Sequence, residues 1–176
     1  GGVWTVILTW ENDADCPIGK YYSLQVDNIN GTSVTNDPYA TATGVNGARA
    51  MIYDKSTTNP EGWDSFKVKD IQSPQELTVY EVHVRDFTGD SSWVSKQNNA
   101  NGTYKAFVEK GTRLASDSSV TTGFDHLDEL GINAVQLMPV FDQDNDESVA
   151  KIKYNWGYNP QNYNCVEGAY CSDPFK

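Results

Sequence analysis

The first third of the chain shows the alternation of apolar and polar residues that is typical of β-strands. Residues 3–10 are rich in β-branched and aromatic side chains, and every second one faces the same side. Residues 21–26 alternate again, a turn-rich stretch follows at 28–32, and residues 51–53 predict a last short strand. Short strands at this spacing predict part of a β-sandwich.

A different pattern begins at residue 77. Residues 77–87 predict a strand with Tyr80 and Val82 on one face and Glu81 and His83 on the other. A long stretch of loops follows, and it contains one predicted short helix near residues 104–108.

The next element is a predicted helix between Thr122 and Gly131. Thr122 is the expected N-cap, and Gly131 is the expected stop signal. Residues 132–138 then predict a second strand, which ends at Pro139. A strand, a helix and a strand in this order form a βαβ unit, whose two strands run parallel.

These elements predict two domains of different class. Residues 1–65 are expected to be all-β, residues 66–76 to be a linker, and residues 77–176 to be α/β. A closed (β/α)8 barrel needs about 250 residues. One βαβ unit cannot close a barrel, so we expect an architecture that is cut short.

Charge narrows the range of partners. The formal net charge is −11 with a pI near 4.4, although the hydrophobic content of 38% is that of a globular protein. Such a chain repels phosphate backbones and anionic membranes, so neither nucleic acid nor a membrane is expected as a partner. Uncharged ligands such as sugars are compatible with this charge. No secretion signal is visible, and localisation stays open.

The cysteines and histidines do not predict a metal site. The chain has three cysteines, no CxxC motif and two histidines, so we expect no zinc site. Cys165 and Cys171 are close enough in sequence to pair, and free thiols are the alternative.

The segment after the second strand is the richest in side chains that bind ligands. Acidic residues crowd its start, and residues 154–160 follow with the sequence Tyr-Asn-Trp-Gly-Tyr-Asn-Pro. Ligands of α/β proteins bind beyond the carboxyl ends of parallel strands, where this segment begins. We therefore predict substrate binding here, with Asp142 among the binding residues. The alternative is a solvated acidic loop with its aromatic rings folded beneath it.

Four segments resemble type I pullulanases, which are debranching enzymes of glycoside hydrolase family 13. They are residues 81–87, 123–131, 135–142 and 154–160, and the last of these is close to the signature heptad of that family. Two upstream segments, 36–40 and 59–63, resemble the second half of a carbohydrate-binding module of family 48.

The resemblance implies a fold and a set of binding residues. Residues 1 to about 65 would be a truncated β-sandwich, and residues from about 77 onward would be the first two strands of a (β/α)8 TIM barrel. Tyr158 matches the tyrosine that stacks on the sugar ring where the bond is broken, and Asn155 and Trp156 belong to the same motif. Asn159 departs from the motif, which usually has aspartate there.

The resemblance also implies an activity, the hydrolysis of α-1,6-glucosidic bonds with retention. The substrate would be an α-glucan: pullulan, amylopectin, glycogen or a limit dextrin. The catalytic carboxylates are expected beyond residue 176, so no residue of this chain is predicted to be catalytic. No cofactor is expected, although calcium is possible in the parent enzyme. The alternatives are a non-catalytic α-glucan-binding piece and another family 13 enzyme, such as an isoamylase or a branching enzyme.

Overall fold

A computed structural model describes residues 2–68, 70–147 and 153–173. The first strands are β1 (Tyr21–Tyr22), β2 (Leu24–Asn28), β3 (Gly31–Thr35) and β4 (Ala50–Met51). Strands β2 and β3 form an antiparallel hairpin, and β1 pairs antiparallel with β4. The predicted strand at 21–26 is therefore present in two pieces.

The strand predicted at residues 3–10 is wrong. This segment has no regular secondary structure, and Val3 and Trp4 are 95% and 94% exposed. A β-branched, alternating sequence becomes a strand only when another strand satisfies its backbone groups. No strand of the described part of the chain pairs with it.

The predicted βαβ unit is confirmed, with shorter elements. Strands β5 (Val79–Val82) and β9 (Ala134–Leu137) pair in parallel. The first strand was predicted to reach residue 87, but it ends at Val82. His83 then caps helix α1 (Val84–Gly89), because its ring accepts a hydrogen bond from the Asp86 backbone N–H.

The connection between the two parallel strands contains a small sheet that the sequence did not predict. Strands β6 (Trp93–Val94), β7 (Arg113–Leu114) and β8 (Asp117–Thr121) form it, in that order and antiparallel. Helix α2 (Tyr104–Phe107) lies between β6 and β7 along the chain, where a short helix was predicted.

Helix α3 (Phe124–Glu129) begins at a different cap from the one predicted. Gly123, not Thr122, is its N-cap, with a φ of 62°. A Cβ at Gly123 would lie 2.9 Å from the Thr112 hydroxyl oxygen and 3.0 Å from the Trp93 ring nitrogen. The close approach of β6 explains why glycine stands there. Gly131 follows the helix with a φ of 69°, as its stop position predicts.

The region after Pro139 was predicted to be one loop, but it contains two strands. Strands β10 (Phe141–Gln143) and β11 (Pro160–Val166) pair antiparallel, with Asp142 opposite Asn162. Residues 148–152 and 174–176 of the predicted loop lie outside the described residues. Short 3₁₀ helices complete the fold: Asp13–Asp15, Val45–Gly47, Lys55–Thr58, Trp63–Ser65, Pro74–Glu76 and Gly168–Tyr170.

Among the described residues, two small apolar clusters join some of these elements. The larger contains Val82, Val84, Phe107 and Tyr170, and joins β5, α1 and α2 to the segment after β11. The smaller joins Ala40 and Ala50 to Cys165 of β11. The resulting fold is mixed and rich in β-structure, with few helices.

Two further expectations concern the thiols and the membrane. Cys16, Cys165 and Cys171 are all free thiols, so the pairing considered for Cys165 and Cys171 is absent. Among the described residues, no helix has the length and apolar character that crossing a bilayer requires.

Candidate active site at the carboxyl ends of the parallel strands

A cavity of about 510 Å³ opens where β5 and β9 end. Glu81 and His83 line it from the β5 side, Met138 from the β9 side, and Tyr154 from the aromatic segment 154–160. The carboxyl ends of parallel strands are where α/β proteins place their ligands. Of segment 154–160, only Tyr154 lines this cavity, and substrate binding there stays a prediction.

His83 connects strand β5 to the aromatic segment. Its ring is 5% exposed, and Nδ1 accepts a hydrogen bond from the Asp86 backbone N–H at 3.2 Å. Because Nδ1 accepts this hydrogen bond, Nε2 is the ring nitrogen that carries a proton. Nε2 lies 3.0 Å from the Asn155 carbonyl oxygen and 2.9 Å from the Tyr170 hydroxyl. His83 thus fixes the backbone of the segment at Asn155.

Gly157 allows the aromatic segment to fold against the end of β9. Its φ is 92°, a left-handed conformation that favours glycine. A Cβ at this position would lie 2.3 Å from the carbonyl oxygen of Pro139. The Asn155 side chain supports the same turn, because its Oδ1 accepts a hydrogen bond from the Gly157 N–H at 3.1 Å. Asn155 therefore shapes the turn through the contact of its side chain with the Gly157 backbone.

Trp156 and Tyr158 present an open aromatic surface beside this turn. Their side chains are 56% and 48% exposed, and their ring centroids lie 5.1 Å apart with an interplanar angle of 64°. The Tyr158 hydroxyl donates to the Glu81 carboxylate at 3.0 Å. This hydrogen bond raises the pKa of Tyr158 above its ordinary value. Two half-exposed rings at an angle offer apolar faces on which sugar C–H groups can pack.

Asp142 occupies a different environment from the aromatic pair. It is 1% exposed, and its Oδ2 accepts a hydrogen bond from the Asn162 side chain at 2.6 Å. Burial raises the pKa of Asp142 against the effect of that hydrogen bond, and the charge of Glu147 raises it further. A side chain with so little open surface has no face free for a sugar. Its predicted role in binding stays a prediction.

Asp142 instead belongs to a buried acidic group with Glu147 and Glu167. One oxygen from each of the three lies within 4.8 Å of the others, and this is the one such group among the described residues. The Glu167 carboxylate accepts from the Gln143 N–H at 2.8 Å and the Asn145 side chain at 3.1 Å. Burial raises the pKa of Glu147, and hydrogen bonding to Glu167 adds to this. A set of three carboxylates could hold a hard cation such as Ca²⁺.

The sequence analysis missed Glu81, His83 and Glu167 as parts of these two sites. Glu81 and His83 belong to the pullulanase-like segment 81–87 and to a predicted strand face, but neither was predicted to be a site residue, because the strand was predicted to continue past Val82. Their place at the carboxyl end of a parallel strand was the available signal. Glu167 had no such signal, since it follows a strand that was not predicted.

Comparisons with known proteins identify the relatives of this arrangement. The pullulanase of Bacillus subtilis (strain 168) is 32% identical over 176 residues, which cover 98% of this chain and 22% of that protein. The chain is a homologue of the pullulanases. No protein-family profile matches it.

Solved pullulanase structures share its fold. The structure of a pullulanase from Bacillus acidopullulyticus matches with a TM-score of 0.81 at 42% identity, and the match covers 91% of this chain and 19% of that one. A pullulanase from Paenibacillus barengoltzii, in complex with maltohexaose and α-cyclodextrin, matches with a TM-score of 0.81 at 38% identity. That match covers 89% of this chain and 24% of the pullulanase. The chain therefore spans about a fifth to a quarter of the length of these pullulanases.

Proposed function

We propose that this chain is part of a debranching glycosidase that hydrolyses α-1,6-glucosidic bonds of α-glucans. The observation that carries the proposal is the open pair of Trp156 and Tyr158, in which the Tyr158 hydroxyl contacts Glu81 on the wall of the cavity at the ends of β5 and β9. The pair lies on residues 154–160, the segment closest to the pullulanase signature. Homology over most of the chain supports the same activity.

The proposed substrates are pullulan, amylopectin, glycogen and their limit dextrins. A pullulanase that resembles this chain was solved with maltohexaose and α-cyclodextrin, so an α-glucan ligand is consistent with the fold. A sugar polymer carries no charge, which suits a chain with a net charge of −11.

The proposed chemistry is hydrolysis with retention. It requires a nucleophilic carboxylate and an acid/base carboxylate about 5–5.5 Å apart. We propose that both lie outside these 176 residues, so this chain alone binds the sugar without cutting the bond. The buried acidic group is not a substitute, because its three carboxylates are enclosed and hydrogen-bonded to their own backbone and amide neighbours.

The domain organisation follows the same proposal. Residues 1–65 would form part of a family 48 β-sandwich, residues 66–76 a linker, and residues 77–176 the start of a (β/α)8 TIM barrel. Exposed apolar side chains on the parallel strands support the barrel, because Val79 and Val135 are 51% and 40% exposed. In a complete barrel such side chains are covered by further strands and helices.

Within the site, each predicted residue has a proposed role. The Tyr158 ring stacks on a glucose unit, and Trp156 forms the adjoining wall. Asn155 shapes the turn that presents both rings. Asp142 stays a proposed substrate-binding residue, and in this structure its carboxylate pairs with Asn162 between β10 and β11.

The test is α-glucan binding and hydrolysis by Tyr158→Ala in the full-length protein. We expect kcat/KM on pullulan to fall by more than tenfold, because the ring loses its stacking surface. Phe66→Ala is the matched control, since Phe66 is a 72% exposed aromatic residue in the proposed linker, outside both the aromatic segment and the proposed sugar-binding module. Unchanged kinetics in Tyr158→Ala would refute the proposed site, and pullulan cleavage by the 176-residue chain alone would refute the location of the carboxylates.

A further inference from the structure

The ring of Tyr158 must be held at a defined angle if it is to stack on a sugar. A half-exposed tyrosine has two side-chain torsions, and each one that becomes fixed only on binding lowers the affinity. Trp156 restrains the ring from one side, with its own ring at 64° to that of Tyr158. A ring contact of this kind leaves the far end of the side chain free to swing.

The far end of Tyr158 is held by Glu81. The hydroxyl donates to Glu81 Oε1 at 3.0 Å, across 77 positions of sequence. A hydrogen bond to an ionised carboxylate is stronger than one between neutral groups. The contact therefore joins the end of the ring to a different element of the fold.

Glu81 is well placed to act as an anchor. It is the third residue of β5, and its backbone pairs in register with Gln136 of β9. Sites built on strands hold their side chains more precisely than sites on loops. Glu81 also lines the cavity at the strand ends, so its carboxylate joins the Tyr158 hydroxyl to the wall of that cavity.

We propose that Glu81 is a positioning residue, whose carboxylate holds the Tyr158 hydroxyl and so fixes the ring for stacking on the sugar. The inference rests on the proposed function of Tyr158 but names a residue outside the aromatic motif. Glu81 takes no part in bond cleavage. Because its effect on binding depends on Tyr158, a double-mutant cycle of the two residues tests the proposal.

The first measurement is maltotetraose affinity in the full-length protein for Glu81→Ala, Glu81→Gln, Tyr158→Phe and the double variant Glu81→Ala/Tyr158→Phe. We expect Glu81→Ala and Tyr158→Phe each to weaken binding by roughly threefold to tenfold, the range of one hydrogen bond. The double variant should be no weaker than either single one, because both remove the same contact. Glu81→Gln should restore part of the loss, since its amide oxygen can still accept the hydrogen bond.

The second measurement is spectrophotometric titration of Tyr158, read as the difference between the protein and its Tyr158→Phe variant. The carboxylate raises the pKa of this phenol, so Glu81→Gln should lower it towards its ordinary value. Glu76→Gln is the matched control, because it removes the same charge from the exposed stretch before β5. That control should change neither the affinity nor the titration.

The outcomes separate this proposal from the proposed function. If Tyr158→Ala abolishes binding while Glu81→Ala binds and titrates like the unmodified protein, the function stands and the positioning role is overturned. If the unmodified protein binds no maltotetraose, the function fails, and the titration alone then decides whether Glu81 holds the ring. If the losses of maltotetraose affinity in the two single variants add up in the double variant, Glu81 does not act through the Tyr158 hydroxyl and the positioning role is also overturned.

Discussion

Asn46 and Glu147 hold each other by two reciprocal hydrogen bonds across 101 positions of sequence. The Asn46 N–H donates to Glu147 Oε2 at 2.7 Å, and the Glu147 N–H donates to Asn46 Oδ1 at 2.7 Å. The pair connects the β-rich first part of the chain to the segment after β10. The pair also joins the buried acidic group to the first part, as does Asn162, whose side chain donates to both Asp142 and the Gly47 carbonyl oxygen.

We predict that Asn46→Gly destabilises the fold by about 1–3 kcal/mol, the range for a buried polar group left without its partner. Glycine accepts the φ of 59° found at Asn46, so this change removes the side chain without straining the backbone. Asn30→Gly is the control, because Asn30 is an exposed turn residue. Urea unfolding at pH 7 measures the difference, and equal stability of both variants would contradict the prediction.

The acidic group gives stability a definite dependence on pH. The pKa values of Asp142 and Glu147 are raised above their ordinary 3.8 and 4.5, chiefly by burial. A raised pKa in the folded state means that the native form binds the proton more tightly than the unfolded chain. The contribution is therefore fully present below the ordinary values and is lost as pH rises through the folded ones.

We expect the free energy of unfolding of Glu147→Gln to fall less steeply above pH 4.5 than that of the unmodified protein. Urea unfolding at a series of pH values measures this, in EDTA so that no divalent cation neutralises the group. Exposed Glu61→Gln is the control and should leave the slope unchanged. A parallel pair of curves for Glu147→Gln and the unmodified protein would show that this carboxylate does not carry the effect.

Glu109 predicts the opposite dependence on pH. It is 3% exposed, and its carboxylate accepts from the Ser95 hydroxyl at 2.7 Å, the Gln97 N–H at 3.0 Å and the Asn99 side chain at 2.8 Å. Burial alone would raise the pKa of Glu109, but these hydrogen bonds outweigh it and hold the pKa below its ordinary value. Its stabilisation is therefore present above that value and is lost as pH falls through the folded one.

Glu109→Gln should lower the free energy of unfolding at pH 7 by about 1–3 kcal/mol, because an amide NH₂ would face groups that donate. The loss relative to the unmodified protein should shrink on acidification, as the carboxylate of the latter takes up its proton. Glu61→Gln, at an exposed position, is the control. A loss that is the same at pH 7 and in acid would rule out the charge-dependent part of this account.

Local patterns predicted the parts of the fold that depend on neighbouring residues. Strand β2, helix α3 and the parallel pair of β5 and β9 are bordered by glycine, proline or polar turn residues that the sequence displays. Strand β3 (Gly31–Thr35) was not predicted, because its start overlaps the turn signal at residues 28–32. The alternating pattern also predicts a strand at residues 3–10. A strand forms only beside a partner strand, and the described residues supply none for this segment. Strands β10 and β11 escaped prediction because their pairing depends on contacts such as that of Asp142 with Asn162.

The candidate site, too, could be predicted from the sequence only in part. The aromatic residues of segment 154–160 were visible in the sequence, and so was their place after a parallel strand. The contacts of Glu81 with Tyr158 and of His83 with Asn155 join positions more than 70 residues apart in sequence, so no local pattern indicates them. Whether an acidic side chain is open or enclosed also depends on the tertiary structure, and Asp142 is the clearest instance.

Gly157 supplies the sharpest test of how the aromatic pair is presented. We predict that Gly157→Ala weakens maltotetraose binding by more than tenfold in the full-length protein. Alanine is strained at a φ of 92°, and its Cβ would lie 2.3 Å from the Pro139 carbonyl oxygen, so the turn must move. The Pro139 backbone blocks the added Cβ, and the contact of His83 with the Asn155 carbonyl oxygen holds the start of the segment. We therefore expect the shift to displace Trp156 and Tyr158 together.

Gly89→Ala is the matched control, since a Cβ there meets nothing within 4 Å and Gly89 has no left-handed φ. It should bind maltotetraose like the unmodified protein. Calorimetric titration measures the affinity, and the melting temperature of each variant separates a displaced turn from general unfolding. Normal binding by Gly157→Ala would mean that the rings do not depend on this turn, and the proposed stacking surface would then have to lie elsewhere.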